Sequence, residues 1–181
     1  MNDYARMSTP DTLQIERLLP APIERVWAYL SEPELRAQWL AGGSSTLTPG
    51  SELTLVFHNN ELTTNDDPAP AKYTREAGPV SLRCRILECR PPELLVFTWG
   101  LDEEASVVRF ELSIAGTQTR LRVTHARLLG RGIQLSVSAG WHAHLDILCA
   151  RMAGNEPEGF WRSHTRLEAE YAGRLPETVT P

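Results

Sequence analysis

The sequence predicts an α+β fold, in which a curved antiparallel sheet wraps around a long C-terminal helix and two short helices follow the first strand. Three observations predict it. Residues 13–17 alternate between apolar and polar, as a half-buried strand does. Several similar alternating runs fill residues 53–125, and from residue 141 onward the apolar period changes to that of a helix. We expect such a sheet to bury the helix on its concave face.

Length, charge and cysteine content narrow the function. We expect one domain over residues 13–175, with flexible tails over 1–12 and 176–181, because 181 residues can bury one core. A net charge of −5 without a basic cluster argues against a nucleic-acid partner. The chain has no apolar run of about 18 residues and no signal-peptide pattern, which predicts a cytoplasmic protein that does not insert into membranes. The three cysteines form no CxxC pair, so we expect reduced thiols and no metal site.

The two short helices are predicted by apolar spacing and by proline. Pro22 suits the first turn of a helix, where its missing N–H costs nothing. Pro33 ends this first helix and begins a shorter one that Gly42 and Gly43 close. The residues that form the buried stripe of the first helix are Ile23, Val26, Trp27 and Leu30.

The middle of the chain is typical of an antiparallel meander. Its alternating runs follow one another through short connections such as Pro91-Pro92 and the turn at Gly116. Residues 59–79 are the exception, because they are rich in Asn, Asp, Thr and Pro. We expect a long surface loop there, and loops of that length are either functional or mobile.

Two helices are predicted after the last strand. The first, about four turns long, has one face marked by Trp141, Leu145, Leu148 and Met152. A final helix has one face marked by Trp161, His164, Leu167 and Tyr171, and it could cover its own domain or that of a partner. A curved sheet and a single long helix do not meet everywhere, so we expect an internal cavity suited to an apolar ligand.

Four stretches resemble the bacterial AHSA1-like branch of the START/Bet v 1 (SRPBCC) superfamily. They are APIERVW at 21–27 with Trp39 after it, ECRPPELLVFTW at 88–99, the pair Thr124-His125, and GWHAHL at 140–145. The resemblance covers roughly residues 13–175 and implies the helix-grip fold. It also implies relatives that bind lipids, hormones or polyketides, a few of which are cyclases, aromatases or hydrolases.

The cavity is expected to be lined by residues of the inward faces. The predicted ligand-binding residues are Trp39, Phe57, Cys84, Trp99, Phe110, His125, Trp141, His144, Leu145 and Leu148. His125 and His144 could together hold a polar group of the ligand; alternatively, neighbouring backbone groups satisfy both rings. His142 lies two residues from His144 on the helix and points about 200° away, toward solvent or the final helix, so the two cannot share a metal.

The favoured function is non-catalytic binding of a small hydrophobic, polyketide-like or lipid-like molecule. No Ser–His–Asp relay, phosphate loop or dinucleotide fingerprint is present, and no cofactor is expected. One alternative is a cyclase-, aromatase- or hydrolase-type enzyme that uses the cavity histidines as acid or base. The other is a modulator of an Hsp90-type chaperone, as the name of the family suggests. The sequence is also compatible with a homodimer.

Overall fold

An eight-stranded antiparallel sheet forms the centre of the computed structural model, which describes residues 4–44 and 46–175. The order of the strands across the sheet is β1-β2-β8-β7-β6-β5-β4-β3. Consecutive strands from β3 to β8 are neighbours, which confirms the predicted meander. The strands are β1 (Arg6–Thr9), β2 (Thr12–Leu19), β3 (Gly42–Gly43), β4 (Glu52–Phe57), β5 (Val80–Arg90), β6 (Leu94–Trp99), β7 (Ser106–Ala115) and β8 (Gln118–Ala126).

Five α-helices complete the part of the fold that the structure describes, and the two longest follow the sheet. They are α1 (Ile23–Ser31), α2 (Pro33–Arg36), α3 (Thr74–Ala77), α4 (Arg131–Ala153) and α5 (Phe160–Arg174). The predicted α+β class, the two short helices and the long C-terminal helix are therefore confirmed. α4 is longer than the four turns expected, and it ends at Gly154, whose left-handed conformation closes the helix. None of the described helices is long and apolar enough to cross a membrane.

The N-terminal segment differs from the predicted tail over 1–12. Arg6–Thr9 form strand β1, which pairs with β2 at the edge of the sheet. The edge strand is also anchored to α5, because the backbone N–H of Ala5 donates a hydrogen bond of 2.8 Å to the Tyr171 hydroxyl. The sequence did not indicate this pairing, because a run of four residues is too short to show the alternation of a strand. The predicted tail over 176–181 lies outside the described residues.

The concave face of the sheet supplies one wall of the core. Leu13 pairs with His125, His125 with Val108, and Val108 with Phe97, so these four residues form one row across β2, β8, β7 and β6. All four are buried. Side chains two residues apart on a strand share a face, so further inward rows run parallel to this one. His125 thus lies on the inward face near the end of its strand.

Helix α4 is buried on more than one side, which explains its weak amphipathic pattern. One side packs on the sheet and the other is covered by α5. The predicted stripe of α5 is buried against its own chain: Trp161, His164, Leu167 and Tyr171 are each at most 4% exposed. The final helix therefore covers the core of its own chain, which is one of the two predicted alternatives.

The segment 59–79 is not the irregular loop that its composition predicts. It contains two 3₁₀ turns, Asn59–Glu61 and Ala71–Tyr73, and the short helix α3. The Asp66 carboxylate accepts hydrogen bonds from the backbone N–H groups of Trp161 and Arg162, at 2.8 and 3.1 Å. It therefore caps the N-terminus of α5 from a distant part of the chain. Gly159 permits this approach, because a Cβ there would collide with the carboxylate.

Candidate functional site

A cavity of about 300 Å³ lies between the concave face of the sheet, α4, α5 and the segment 59–79. Its volume is at the lower end of the ~300–1,000 Å³ typical of sites for small molecules. Most of its wall is apolar or aromatic. The lining residues are Leu40, Phe57, Asn59, Tyr73, Glu76, Val80, Leu82, Trp99, His125, Ser136, Val137, Gly140, Trp141, His144, Phe160, Trp161 and His164.

Aromatic rings form the sheet side of the cavity. The Trp99 ring centroid lies 5.7 Å from that of Phe57 and 5.7 Å from that of Trp141. These separations are typical of tilted and edge-to-face aromatic pairs. Phe57 ends β4, Trp99 ends β6 and Trp141 lies in the middle of α4, so the cluster joins three elements. The wall is therefore held in place by packing from both the sheet and the long helix.

His125 lines the cavity, but both of its ring nitrogens bond to the protein. The indole N–H of Trp141 donates to Nδ1 at 3.0 Å, and Nε2 lies 2.8 Å from the Ser106 hydroxyl. An indole only donates, so Nδ1 holds a lone pair and Nε2 carries the proton. Burial lowers the pKa of His125 to about 4, which keeps the ring neutral at pH 7. Nε2–H therefore donates to Ser106, which is the opposite of what activating a serine nucleophile requires.

His144 lines the same cavity with a different pattern of hydrogen bonds. Its Nδ1 lies 2.7 Å from the carbonyl oxygen of Trp39, which can only accept, so Nδ1 carries the proton. Burial lowers the pKa of His144 to about 4, and the ring is neutral at pH 7. Nε2 then holds a lone pair, and no hydrogen bond to it is formed within residues 4–44 and 46–175. His144 thus presents a hydrogen-bond acceptor at the cavity.

Two more polar side chains of the wall come from elements that the sequence did not assign to the site. His164 of α5 is 4% exposed, and its Nδ1 is buried without a partner in the described part of the chain. Asn59 is 8% exposed; its side-chain N–H donates to the Glu76 carbonyl at 3.0 Å, and its Oδ1 has no partner there either. Buried polar atoms without partners are rare in native proteins, which makes these two informative.

Charge is nearly absent from the wall. Glu76 is its one carboxylate, and this residue is exposed, so it lies at the rim rather than in the interior. No Lys or Arg lines the cavity within the described residues. Nor do three or more His, Cys, Asp or Glu side chains gather anywhere in those residues as a metal site would require.

The structure brings five of the ten predicted site residues together and places the other five elsewhere. Those on the wall are Phe57, Trp99, His125, Trp141 and His144. Those in the packed core, each at most 1% exposed, are Trp39, Cys84, Phe110, Leu145 and Leu148. The assignment of the second group to the cavity is thus corrected. These residues point inward as expected, but neighbouring side chains fill the space in front of them.

The position of Trp39 shows why an inward-facing aromatic residue is not always part of the wall. Its indole N–H donates to the Tyr29 carbonyl at 2.9 Å, which holds the ring between α1 and the sheet. Its ring centroid lies 6.4 Å from that of Phe110. Trp39 contributes to the site indirectly, because its backbone carbonyl determines which nitrogen of His144 carries the proton. Cys84 is likewise buried, and burial raises the pKa of its thiol to about 11.

The sequence analysis missed the wall that α5 and the segment 59–79 provide. Phe160, Trp161 and His164 come from α5, while Asn59, Tyr73 and Glu76 come from the segment. One signal was available, since a 21-residue insertion between two strands is long for a passive loop. The apolar stripe of α5 also predicted burial. Neither signal indicates that both elements meet over the same opening.

Comparison with known proteins identifies the family. The family model described as "Activator of Hsp90 ATPase homolog 1-like protein" matches residues 20–153. Comparison with curated protein sequences gives no match. A solution NMR structure of a Bordetella parapertussis protein is 44% identical, with a TM-score of 0.79, over 96% of this chain and 91% of that one.

Two more distant structures share the fold. The crystal structure of CalU16 from Micromonospora echinospora is 21% identical, with a TM-score of 0.65, over 90% of this chain and 86% of that one. DynU16, from the dynemicin biosynthetic locus, is 20% identical with a TM-score of 0.62, over 81% of this chain and 49% of that one. The match to the family model and the Bordetella structure show that the chain belongs to the AHSA1-like family, and its fold is the helix-grip fold.

Proposed function

We propose that this protein binds a small, largely apolar molecule in the cavity and catalyses no reaction on it. The observation that carries the proposal is the 300 Å³ space bordered by Phe57, Trp99, Trp141 and Phe160. Protein interiors are packed densely, and an apolar space of this size forfeits contacts that a ligand would restore. Members of the family bind ligands in a cavity, which supports the same function here.

The protonation states of the two central histidines support binding over catalysis. A general base near pH 7 works best when its pKa lies near that pH. The pKa values of His125 and His144 are lowered to about 4, so both are weak bases. His125 also has no lone pair available, because Trp141 occupies Nδ1 and the proton occupies Nε2. It therefore forms part of the wall and orients Trp141.

Gly140 offers a direct test, because it lines the cavity and an added Cβ would meet no atom within 4 Å. Gly140→Leu should place an isobutyl group in the cavity and reduce ligand affinity by a factor of ~100 or more. Gly132→Leu is the matched control, since Gly132 lies on the same helix, is exposed and is equally free of contacts. Both variants should gain about 1 kcal/mol in the free energy of unfolding, because leucine favours helix more than glycine does.

The ligand itself can be captured by native mass spectrometry of the protein purified from its own organism. We expect an additional mass that is released on denaturation, that Gly132→Leu retains and that Gly140→Leu lacks. The released compound can then be tested by thermal shift, since a ligand that binds only the folded state raises Tm. Absence of bound mass, together with no thermal shift over sterols, fatty acids, flavonoids and polyketides, would contradict the proposal.

One observation favours the enzymatic alternative enough to test it. The Nε2 lone pair of His144 is available to a molecule in the cavity and could accept a proton in a cyclase- or hydrolase-type reaction. If that alternative holds, His144→Gln should abolish turnover of the captured compound while the protein remains folded. If the compound is unchanged after long incubation with the native protein, the enzymatic alternative fails and the binding function stands.

A further inference from the structure

His144 carries information about the ligand because its Nε2 is an acceptor at the cavity. The residue is 7% exposed, and the Nε2 lone pair is used by no hydrogen bond of the described protein. Leaving a polar atom of a buried side chain without a partner is costly. A bound molecule could supply the missing donor.

His144 lies where α5 covers the cavity. The Phe160 ring centroid lies 4.6 Å from that of His144 and 5.8 Å from that of His164. Tyr73 packs edge-on against His164 at 4.9 Å. The polar end of the cavity thus lies beneath α5 and the segment 59–79.

The aromatic side chains of the wall offer few donors. The indole N–H of Trp141 is used by His125, and that of Trp161 donates to Asn60 Oδ1 at 2.7 Å. The indole N–H of Trp99 is the remaining indole donor among the described wall residues, and Ser136 adds a hydroxyl. Neutral donors of this kind do not balance a negative charge. With no Lys or Arg on the described wall, a buried carboxylate would have no partner.

A cation is disfavoured by the same environment. The interior acceptor, His144 Nε2, belongs to a neutral ring, and the carboxylate of Glu76 is at the exposed rim. A buried ammonium group needs a countercharge to offset the loss of its hydration. A neutral hydroxyl or N–H group needs only the lone pair that is already there.

From this arrangement we infer that the ligand is an uncharged, mainly aromatic molecule whose hydroxyl or N–H group donates to Nε2 of His144, at the polar end beneath α5. The inference rests on the proposed binding function and specifies the chemical class of the ligand. It excludes fatty acids and other carboxylates as the preferred ligands. A phenol-type group on a flat ring matches both this acceptor and the aromatic wall.

Four naphthalene probes of similar size separate these possibilities by isothermal titration calorimetry at pH 7.5. They are 2-naphthol, 2-methoxynaphthalene, 2-naphthoate and 2-naphthylmethylamine, which differ in charge and in their ability to donate. We expect 2-naphthol to bind at least ~10-fold more tightly than each of the others, the factor expected for one hydrogen bond to a buried acceptor. His144→Phe, which keeps an aromatic ring and removes Nε2, should reduce the preference of naphthol over its methyl ether.

The outcomes distinguish this inference from the function on which it rests. Equal affinity for 2-naphthol and 2-methoxynaphthalene, or tighter binding of the carboxylate or the amine, would overturn the donor inference while leaving a cavity that binds apolar molecules. The comparison on the native protein is decisive even if His144→Phe does not fold. If none of the four probes binds and native mass spectrometry finds no bound compound, the binding function fails and the inference fails with it.

Discussion

His142 and His144 lie two residues apart on helix α4, yet their surroundings differ in every respect that matters for function. His142 is enclosed by hydrogen-bonding partners: Nδ1 lies 2.8 Å from the Tyr171 hydroxyl, and Nε2 lies 3.4 Å from Asp146 Oδ2. His144 bonds to one backbone carbonyl and presents its other nitrogen at the cavity. The two sides of one helix thus form a packed polar network and an open wall.

The packed side joins four elements of the fold. Asp146 on α4 accepts two hydrogen bonds from the Arg17 guanidinium of β2, at 3.2 and 2.7 Å. The Tyr171 hydroxyl of α5 accepts from Ala5, just before β1, and bonds to His142. Every group in this network has a polar partner, so the network holds α4 and α5 against the edge of the sheet. The comparison shows that the same helix is fixed on one side and leaves room on the other.

The packed and open regions should differ most in how much the free energy of unfolding decreases when a side chain is truncated to alanine. Leu148 is fully buried one turn beyond His144, whereas Val137 is half-buried on the cavity wall. Leu148→Ala should lower the free energy of unfolding by about 3 kcal/mol, because it creates a void in a dense core. Val137→Ala should cost less than about 1 kcal/mol, because part of its side chain faces space already. Denaturant titration measures both, and equal costs would show that the cavity is packed around Val137.

Acid pH should reveal the open side through His144. Its pKa is about 4 in the folded protein and ~6.5 in an unfolded chain, so the unfolded state takes up the proton first as the pH falls. Stability is unaffected above pH 7 and decreases between pH 6.5 and 4, by about 2.5 kcal/mol at pH 4.5 for this group alone. His144→Gln should lose less stability than the native protein between pH 7.5 and 4.5. Identical pH profiles would contradict a neutral, buried His144.

A smaller effect is expected from the polar network. Tyr171→Phe removes one hydroxyl, so the Ala5 N–H and His142 Nδ1 each lose the hydrogen bond that they make to it, which should cost about 2 kcal/mol. Because Tyr171 does not line the cavity, the affinity for 2-naphthol should stay within twofold of the native value. If the affinity falls by much more than twofold while the variant is fully folded, the two sides of α4 are energetically coupled.

The fold could be predicted from the sequence because its signals are local. Alternation on the strands and the stripe of α5 each depend on residues close together in the chain, and all were assigned to the correct type of element. The cavity depends on distances between elements. Periodicity indicates that Trp99 and Phe110 both point inward, but not that one borders open space while the other meets Trp39.

The hydrogen bonds of the site could not be predicted from the sequence either, because they join residues that are far apart in the chain. Which nitrogen of His144 carries the proton is decided by the Trp39 carbonyl, 105 positions away in the chain. The buried guanidinium of Arg36 shows the same dependence, since it donates to backbone carbonyls of Leu30, Ala41 and Ser44. Burial lowers the pKa of Arg36 to about 10. Arg36 therefore stabilises the turn after α2 from the interior of the protein.

Because Asp66 caps α5, amide hydrogen exchange in the first turn of that helix reports on access to the cavity. A helix usually carries its own capping residue, but here the acceptor for the Trp161 and Arg162 amides is borrowed from the segment that covers the opening. Any movement that lifts residues 63–67 away exposes those two amide protons to solvent. Their rate of hydrogen–deuterium exchange therefore records how often the covering segment opens, independently of what enters.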